Sequence, residues 1–153
     1  ASDLPKVEFH FYGRIEESFE HRFINEISGL PNAEYHGVFN SVDGDVTREL
    51  NQYDIHLLPT KWPDEGVPGV LVETKMAAVP SIVSDCCYNA EIVEDGVDGV
   101  VLKECSANSL RDAVSVLSAD PSRLDVMKRA ALVSAERFYI DHYVDMIVSE
   151  LAE

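Results

Sequence analysis

The chain has 153 residues, 46% of them hydrophobic and 26% charged, with a formal net charge of −16. That length suffices for one domain with a sizeable core, and no apolar run approaches the roughly 20 residues of a membrane-spanning helix. The charge excludes an exposed nucleic-acid surface and adsorption to anionic lipid, both of which need clustered Lys and Arg.

In chain order, Lys6 to Tyr12 alternates and is rich in β-branched and aromatic residues, which predicts a strand stopping at Gly13. Ile15, Phe19, Phe23 and Ile27 then recur at helical spacing and predict one inward face. Ala33 to His36 reads as a second strand closed by Gly37, and Val42 to Gln52 as a short helix with Val46 and Leu50 inward. Asp54 to Leu58 is a third strand. A Pro- and Gly-rich loop follows it and runs into a helical segment that ends before Pro80. Pro80 to Ser84 is a fourth strand, Tyr88 to Glu94 one or two helical turns, and Gly99 to Leu102 a fifth strand between turn signals. The remainder is helical: Ser109 to Ser118, then Arg123 to Phe138 with Leu124, Met127, Ala131 and Val133 inward, then Ile140 to Leu151 with Tyr143, Ile147 and Leu151 inward.

Strands alternating with helices at this spacing predict βαβ units: an α/β, Rossmann-like parallel sheet with helices on both faces, closed by C-terminal helices. With no internal repeat, low-complexity tract or linker, residues 1–153 read as a single domain. The three cysteines, Cys86, Cys87 and Cys105, match neither a disulfide framework nor a zinc spacing and suit half-buried reduced thiols. His10, His21, His36, His56 and His142 are scattered without ligand spacing, and those in strands suit satisfied core or edge positions.

The stretch from Pro59 to Pro80, PTKWPDEGVPGVLVETKMAAVP, carries the chemistry. A strand that ends in such a loop and feeds a helix is where an open α/β sheet places its ligand. Gly66 and Gly69 allow a close approach to the backbone, and Pro68 is tolerated at the helix start. The N–H groups of Gly69, Val70 and Leu71 would point out of the helix N-terminus. They would form an anion site made of backbone and macrodipole in an otherwise acidic chain. Glu73, one turn in, can accept two hydrogen bonds from a diol, and Glu65 in the loop can do the same for a sugar ring. Spacing alone favours two surface carboxylates of an acidic protein, since two Glu eight apart are common. Trp62 suits either stacking on a base or plain packing.

The wider pattern resembles the C-terminal domain of the retaining GT-B glycosyltransferases, the glycosyltransferase group 1 family. The matching elements come in order: Asp54 opening the strand, Pro59-Thr60 ending it, Glu65 and Glu73 as an E-x7-E pair around a Gly-containing loop, Pro80 opening the next strand, Glu91-Ile92-Val93, and then Asp95-Gly96 with Gly99. Upstream, Asn32 to Gly37 is similar to the family's N-V-x-F-x-G strand.

The resemblance covers roughly residues 6–140 and implies a donor-binding domain for a UDP- or GDP-linked sugar. Transfer would retain anomeric configuration and go to a glycan, lipid or small-molecule acceptor held by a missing N-terminal domain. It implies that Glu73 holds the ribose. Glu65, as the catalytic candidate, would contact the donor sugar with Gly66, Val67 and Pro68. Gly69 and Val70 would meet the diphosphate, and Pro59 and Thr60 would line the nucleotide pocket. Asn89, with Glu91, would stand near the same cleft. No metal or other cofactor is implied, and neither nucleic acid nor direct membrane contact. The implied location is the cytoplasm, the full-length enzyme being free or peripheral at the inner membrane face.

Three departures qualify the resemblance. Ala78 stands where the family has Gly after the helix, which costs about 1 kcal/mol if that position needs φ > 0. Pro68 replaces a common Gly. The Arg and Lys that grip the donor phosphates in the family lie after its first strand and have no counterpart here, and Arg14 is not assigned that role. The 153 residues therefore read as part of a two-domain enzyme, inactive alone. Half of a GT-B-like epimerase or phosphorylase, and a binding or scaffold module that has lost its donor, are the alternative readings.

Overall fold

The structure is a computed structural model and describes residues 1–40, 45–63 and 66–151. The chain divides into two compact units, Ala1–Asp45 and Val46–Glu153.

In the first unit, β1 (Phe9–Tyr12) and β2 (Ala33–Gly37) pair in parallel across the helix α1 (Glu17–Ser28), with His10 beside Glu34 and Phe11 beside Tyr35. Strand alternation sends Phe11 and Tyr35 to one face, where Phe23 of α1 meets both edge-on at 5.5 and 5.6 Å. The inward face expected for α1 is only partly realised: Phe19 is 56% exposed and no residue of the helix is fully buried. Two strands are too narrow to cover three helical turns, so the aromatic contact falls at the Phe23 turn. Asn32 donates to the carbonyls of Leu4 and Val7 and so ties the N-terminal segment to the start of β2.

In the second unit, α2 (Val46–Leu50) leads into three parallel strands, β3 (His56–Leu58), β4 (Ser81–Ser84) and β5 (Gly99–Leu102), in the order β3-β4-β5. Between them come α3 (Gly69–Met76) and α4 (Asn89–Ile92). After them come α5 (Ala107–Ser118), α6 (Pro121–Ala135), a 3-10 turn at Glu136–Phe138 and α7 (Asp141–Leu151). Ile82 and Val83 point to opposite faces of the central strand, yet both are fully buried, so helices cover both faces. Leu71 of α3 packs with Val83, Ile92 and Val93, flanked by Leu58, Val101 and Phe138.

The turn motif before β5 explains its two glycines. Gly96 adopts φ +77°, and a Cβ on Gly99 would come within 2.3 Å of the Ser81 carbonyl oxygen. Asp95 accepts the Val101 amide. Asp120-Pro121 starts α6: Asp120 caps the Arg123 amide at 3.0 Å and Pro121 occupies the first turn. Leu124, Met127 and Ala131 are buried as expected, but Val133 is 67% exposed, because the buried row continues to Ala135. On α7, Tyr143, Ile147 and Leu151 are 42%, 52% and 82% exposed rather than inward. No helix among the described residues is long and apolar enough to cross a membrane.

The end of α3 is a Schellman turn. The Val79 amide donates to the Thr74 carbonyl and the Ala78 amide to that of Lys75, with Ala78 at φ 57°. The position where the family carries Gly therefore is left-handed here, and Ala bears the strain. Ala78→Gly is expected to raise the unfolding free energy by about 1 kcal/mol, measured by chemical denaturation. A neutral or destabilising result would show that the left-handed geometry is wrong.

Candidate donor site at the β3–α3 junction

The loop after β3 is anchored to the end of β4. Ser84 Oγ donates to the Thr60 carbonyl, and the Trp62 amide donates to Thr60 Oγ1 at 3.2 Å. Cys105 Sγ lies 3.4 Å from the Pro59 carbonyl oxygen. The thiols of Cys86 and Cys87 both approach the Trp62 carbonyl, at 3.5 and 3.2 Å, and Cys87 also reaches that of Pro63. None of the three cysteines forms a disulfide; Cys86 and Cys105 are half-buried and Cys87 is exposed. The Trp62 side chain is 66% exposed.

Glu65 lies outside the described residues, as does Asp64. Beyond them Gly66 and Val67 are exposed and Pro68 is buried. Pro68 is the N-cap of α3 in an extended conformation, without a side-chain cap. The Leu71 amide, expected to be available, donates to the Pro68 carbonyl at 3.0 Å. The helix opens with a tight turn that consumes that donor. Among the described residues, the amides of Gly69, which is exposed, and Val70, which is half-buried, are the two left at the helix start. An added Cβ at Gly66 or Gly69 would meet no atom of the described residues within 4 Å, and neither glycine sits at positive φ. The fold itself does not demand glycine at either position.

Glu73 is half-buried one turn into α3, and its carboxylate makes no hydrogen bond or ion pair with the described residues. Asn89 is fully buried: Nδ2 donates to the Ser84 carbonyl at 3.2 Å, while Oδ1 has no partner among the described residues. Glu91 is exposed, and its carbonyl accepts from Arg137.

What holds α3 in place is a set of residues that the sequence pattern did not single out. Lys75 and Asp98, each side chain 3% exposed, form an ion pair beneath the helix. Ser134 of α6 lies 2.8 Å from Lys75 Nζ and donates to Asp98 Oδ2 at 2.7 Å. Asp98 Oδ1 takes the Glu94 amide. Burial pushes the Lys75 ammonium below the ordinary lysine value, and Asp98 pulls it partly back. A second chain of contacts runs from His56 Nδ1 to Ser81 Oγ to Thr74 Oγ1, each step 3.1 Å, and Thr74 donates to the Leu71 carbonyl. Thr74 immediately follows Glu73, so the backbone that presents Glu73 is fixed from below. An apolar helix start interrupted by Thr-Lys, with a downstream Asp beside a close-approach glycine, was the sequence signal for this support.

The family profile described as "Glycosyl transferases group 1" matches residues 1–133. The chain belongs to the glycosyl transferases group 1 family. Among curated proteins it is 28% identical over 119 residues to the Vi polysaccharide biosynthesis protein VipC/TviE of Salmonella typhi, a match covering 75% of this chain and 20% of that protein. It is 33% identical over 88 residues to the N,N'-diacetylbacillosaminyl-diphospho-undecaprenol alpha-1,3-N-acetylgalactosaminyltransferase of Campylobacter jejuni, covering 57% of this chain and 23% of that protein. The chain thus spans about a fifth of the length of the curated relatives it matches. Among solved structures, Anabaena HepE in complex with UDP superposes with a TM-score of 0.82 at 17% identity, covering 97% of this chain and 41% of that one. The pneumococcal O-GlcNAc transferase GtfA, in complex with UDP and GlcNAc, gives 0.75 at 21% identity, covering 99% and 30%. Parallel strands with helices on both faces, matching part of GT-B glycosyltransferase structures, are the fold expected from the sequence.

Proposed function

We propose that this chain is the donor-binding part of a longer glycosyltransferase, and that the β3–α3 junction takes a nucleotide-diphosphate sugar. The observation that carries the reading is Glu73: a half-buried carboxylate without a partner among the described residues, on a helix start braced by two independent contact chains. A carboxylate kept partly dry and unpaired is stabilised when a ligand diol donates to both its oxygens. Glu73 is assigned the ribose, and the amides of Gly69 and Val70 the diphosphate. Pro59 and Thr60 are assigned the nucleotide pocket. Glu65, Gly66, Val67 and Pro68 are assigned the donor sugar, Glu65 in the catalytic role. Asn89 is assigned support of the turn after β4, because its side chain is closed to solvent.

The protein's part in the reaction is to position the donor and to place dipoles where leaving-group charge develops on the diphosphate. No metal or other cofactor is assigned. Retaining transfer to an acceptor held elsewhere in the full-length enzyme, and a cytoplasmic setting for it, belong to the same proposal. Structures of relatives named as UDP complexes support a nucleotide donor. The scaffold alternative loses part of its ground: Ala78 still adopts the left-handed turn, so that departure costs stability and leaves the helix end unchanged.

Calorimetry with UDP and GDP on this chain tests the reading. Because the phosphate site here is backbone alone, binding is expected to be weaker than about 1 µM. Glu73→Gln is expected to weaken nucleotide binding about tenfold, as befits a lost charged acceptor. Heat from neither nucleotide, at concentrations up to several millimolar, would sink the donor assignment. Turnover by these 153 residues with donor and acceptor would refute the need for the rest of the enzyme.

A further inference from the structure

The first unit carries a side-chain constellation that the donor reading does not use. Its two strands share a short pattern, Glu8-Phe9-His10 at the start of β1, with Glu8 just before it, and Glu34-Tyr35-His36 on β2. The pleat sends Glu8, His10, Glu34 and His36 to one face, and the parallel register sets His10 beside Glu34. His10 Nδ1 and His36 Nε2 lie 2.8 Å apart. The rings are within 18° of parallel with centroids 5.1 Å apart, so the two nitrogens face each other edge to edge. Tyr12 stacks on the His36 ring at 4.8 Å and holds its plane. Glu34 Oε2 lies 3.8 Å from His36 Nε2, and Glu8 Oε2 lies 3.9 Å from His10 Nε2 on the far side of that ring. One ligand atom from each of His10, Glu34 and His36 falls within a 4.8 Å span.

We propose that His10, His36 and Glu34 bind a divalent transition-metal ion of the zinc class, with Glu8 as a positioning residue for His10. Two imidazoles and one carboxylate are the donor set that borderline divalent ions take, whereas magnesium and calcium prefer oxygen alone. Ligand nitrogens on tetrahedral zinc stand about 3.3 Å apart, given Zn–N bonds of about 2.0–2.1 Å. The imidazole pair must therefore open by about half an ångström, and the Glu34 carboxylate must close by a similar step on His36 and by up to about 1.5 Å on His10. Glu34, with a side chain 67% exposed, is free to make most of that adjustment. Glu8 Oε2, 3.9 Å from Nε2 and on an exposed side chain, would need to close to hydrogen-bond distance to hold the proton there and leave the Nδ1 lone pair for the metal, the carboxylate–histidine–metal arrangement. The ion would replace the shared proton between the imidazoles and cross-link β1 to β2.

The test is Zn²⁺ titration of the full chain free of any affinity tag, followed calorimetrically and by imidazole NMR. One ion per chain is expected, with the His10 and His36 ring resonances perturbed while His21 and His56 stay in place. His36→Gln and the pair H10Q/H36Q should weaken binding at least tenfold, and Glu8→Gln up to about tenfold, the usual range for a ligand-orienting carboxylate. Mg²⁺ should leave both rings unmoved. Absence of binding up to about 1 mM Zn²⁺, or equal binding by H10Q/H36Q with the ion on the Cys86–Cys87 thiols, would overturn the proposal. Should the variants fail to fold, the wild-type spectrum decides alone: unperturbed His10 and His36 rings at saturating Zn²⁺ refute the site.

Discussion

Replacing Lys75 with Met is expected to lower the unfolding free energy by about 3–5 kcal/mol, the usual loss when one partner of a buried ion pair is removed. Met fills the space of the lysine stem, so packing changes little and the loss is electrostatic. Asp98 would remain at 3% exposure, facing only the Ser134 hydroxyl and the Glu94 amide. A second change to Asn at Asp98 removes that orphaned charge while keeping an acceptor for the Glu94 amide. The double variant K75M/D98N should therefore be more stable than K75M alone, a non-additivity of the kind shown by residues in direct contact. Denaturant midpoints of the four proteins give the cycle. A cost below about 1 kcal/mol for K75M, as for an exposed pair, would mean that the pair is wet and α3 is not pinned from below.

The second large effect is a dependence on pH. Burial of the His56 imidazole pushes its pKa down from 6.5 to about 4. In the unfolded chain the ring takes up a proton as pH falls through 6.5, while the folded chain holds it neutral until about 4. Stability is therefore highest above pH 6.5, falls between 6.5 and 4, and loses no more to this group below that. The whole change is on the order of 3 kcal/mol. Carboxylates titrate in the lower part of the same window, and their neutralisation relieves the −16 net charge. The readout is accordingly the difference between wild type and His56→Gln, followed from pH 7 to pH 4.5. The glutamine variant should lose less stability across that interval. Parallel stability curves would show that His56 is solvated.

The fold was legible because its signals are local. Turn residues punctuate each strand, and β5 falls at Gly99–Leu102 as the sequence predicts. The donor loop was legible through an ordered motif, the Glu pair and the prolines, rather than through any single residue. What the sequence hid is tertiary. Lys75 and Asp98 are 23 residues apart, and only the return of β5 beside β4 brings them together. His10 and His36 look scattered until parallel pairing sets them on one face, although the repeated Glu-x-His on two predicted strands was there to be read. Val133 and the α7 residues share apolar character with core positions, and periodicity alone does not say whether a face meets a partner. The Leu71 amide was lost to a tight first turn, a detail of capping that composition does not encode.

Gly66 and Gly69 have a practical consequence for mutational surveys. Neither is held by positive φ or by a described neighbour that a methyl group would strike, and at Gly69 alanine in the first helical turn is no burden on the helix. Variants at these two positions should accumulate in cells as well as the parent does. Under the donor assignment they should still fail, since a side chain would stand where the pyrophosphate and sugar approach. A survey scored by abundance would mark both sites as permissive, and one scored by nucleotide-sugar binding would mark them as forbidden. Positions where the two maps disagree would outline the ligand without a bound ligand ever being seen.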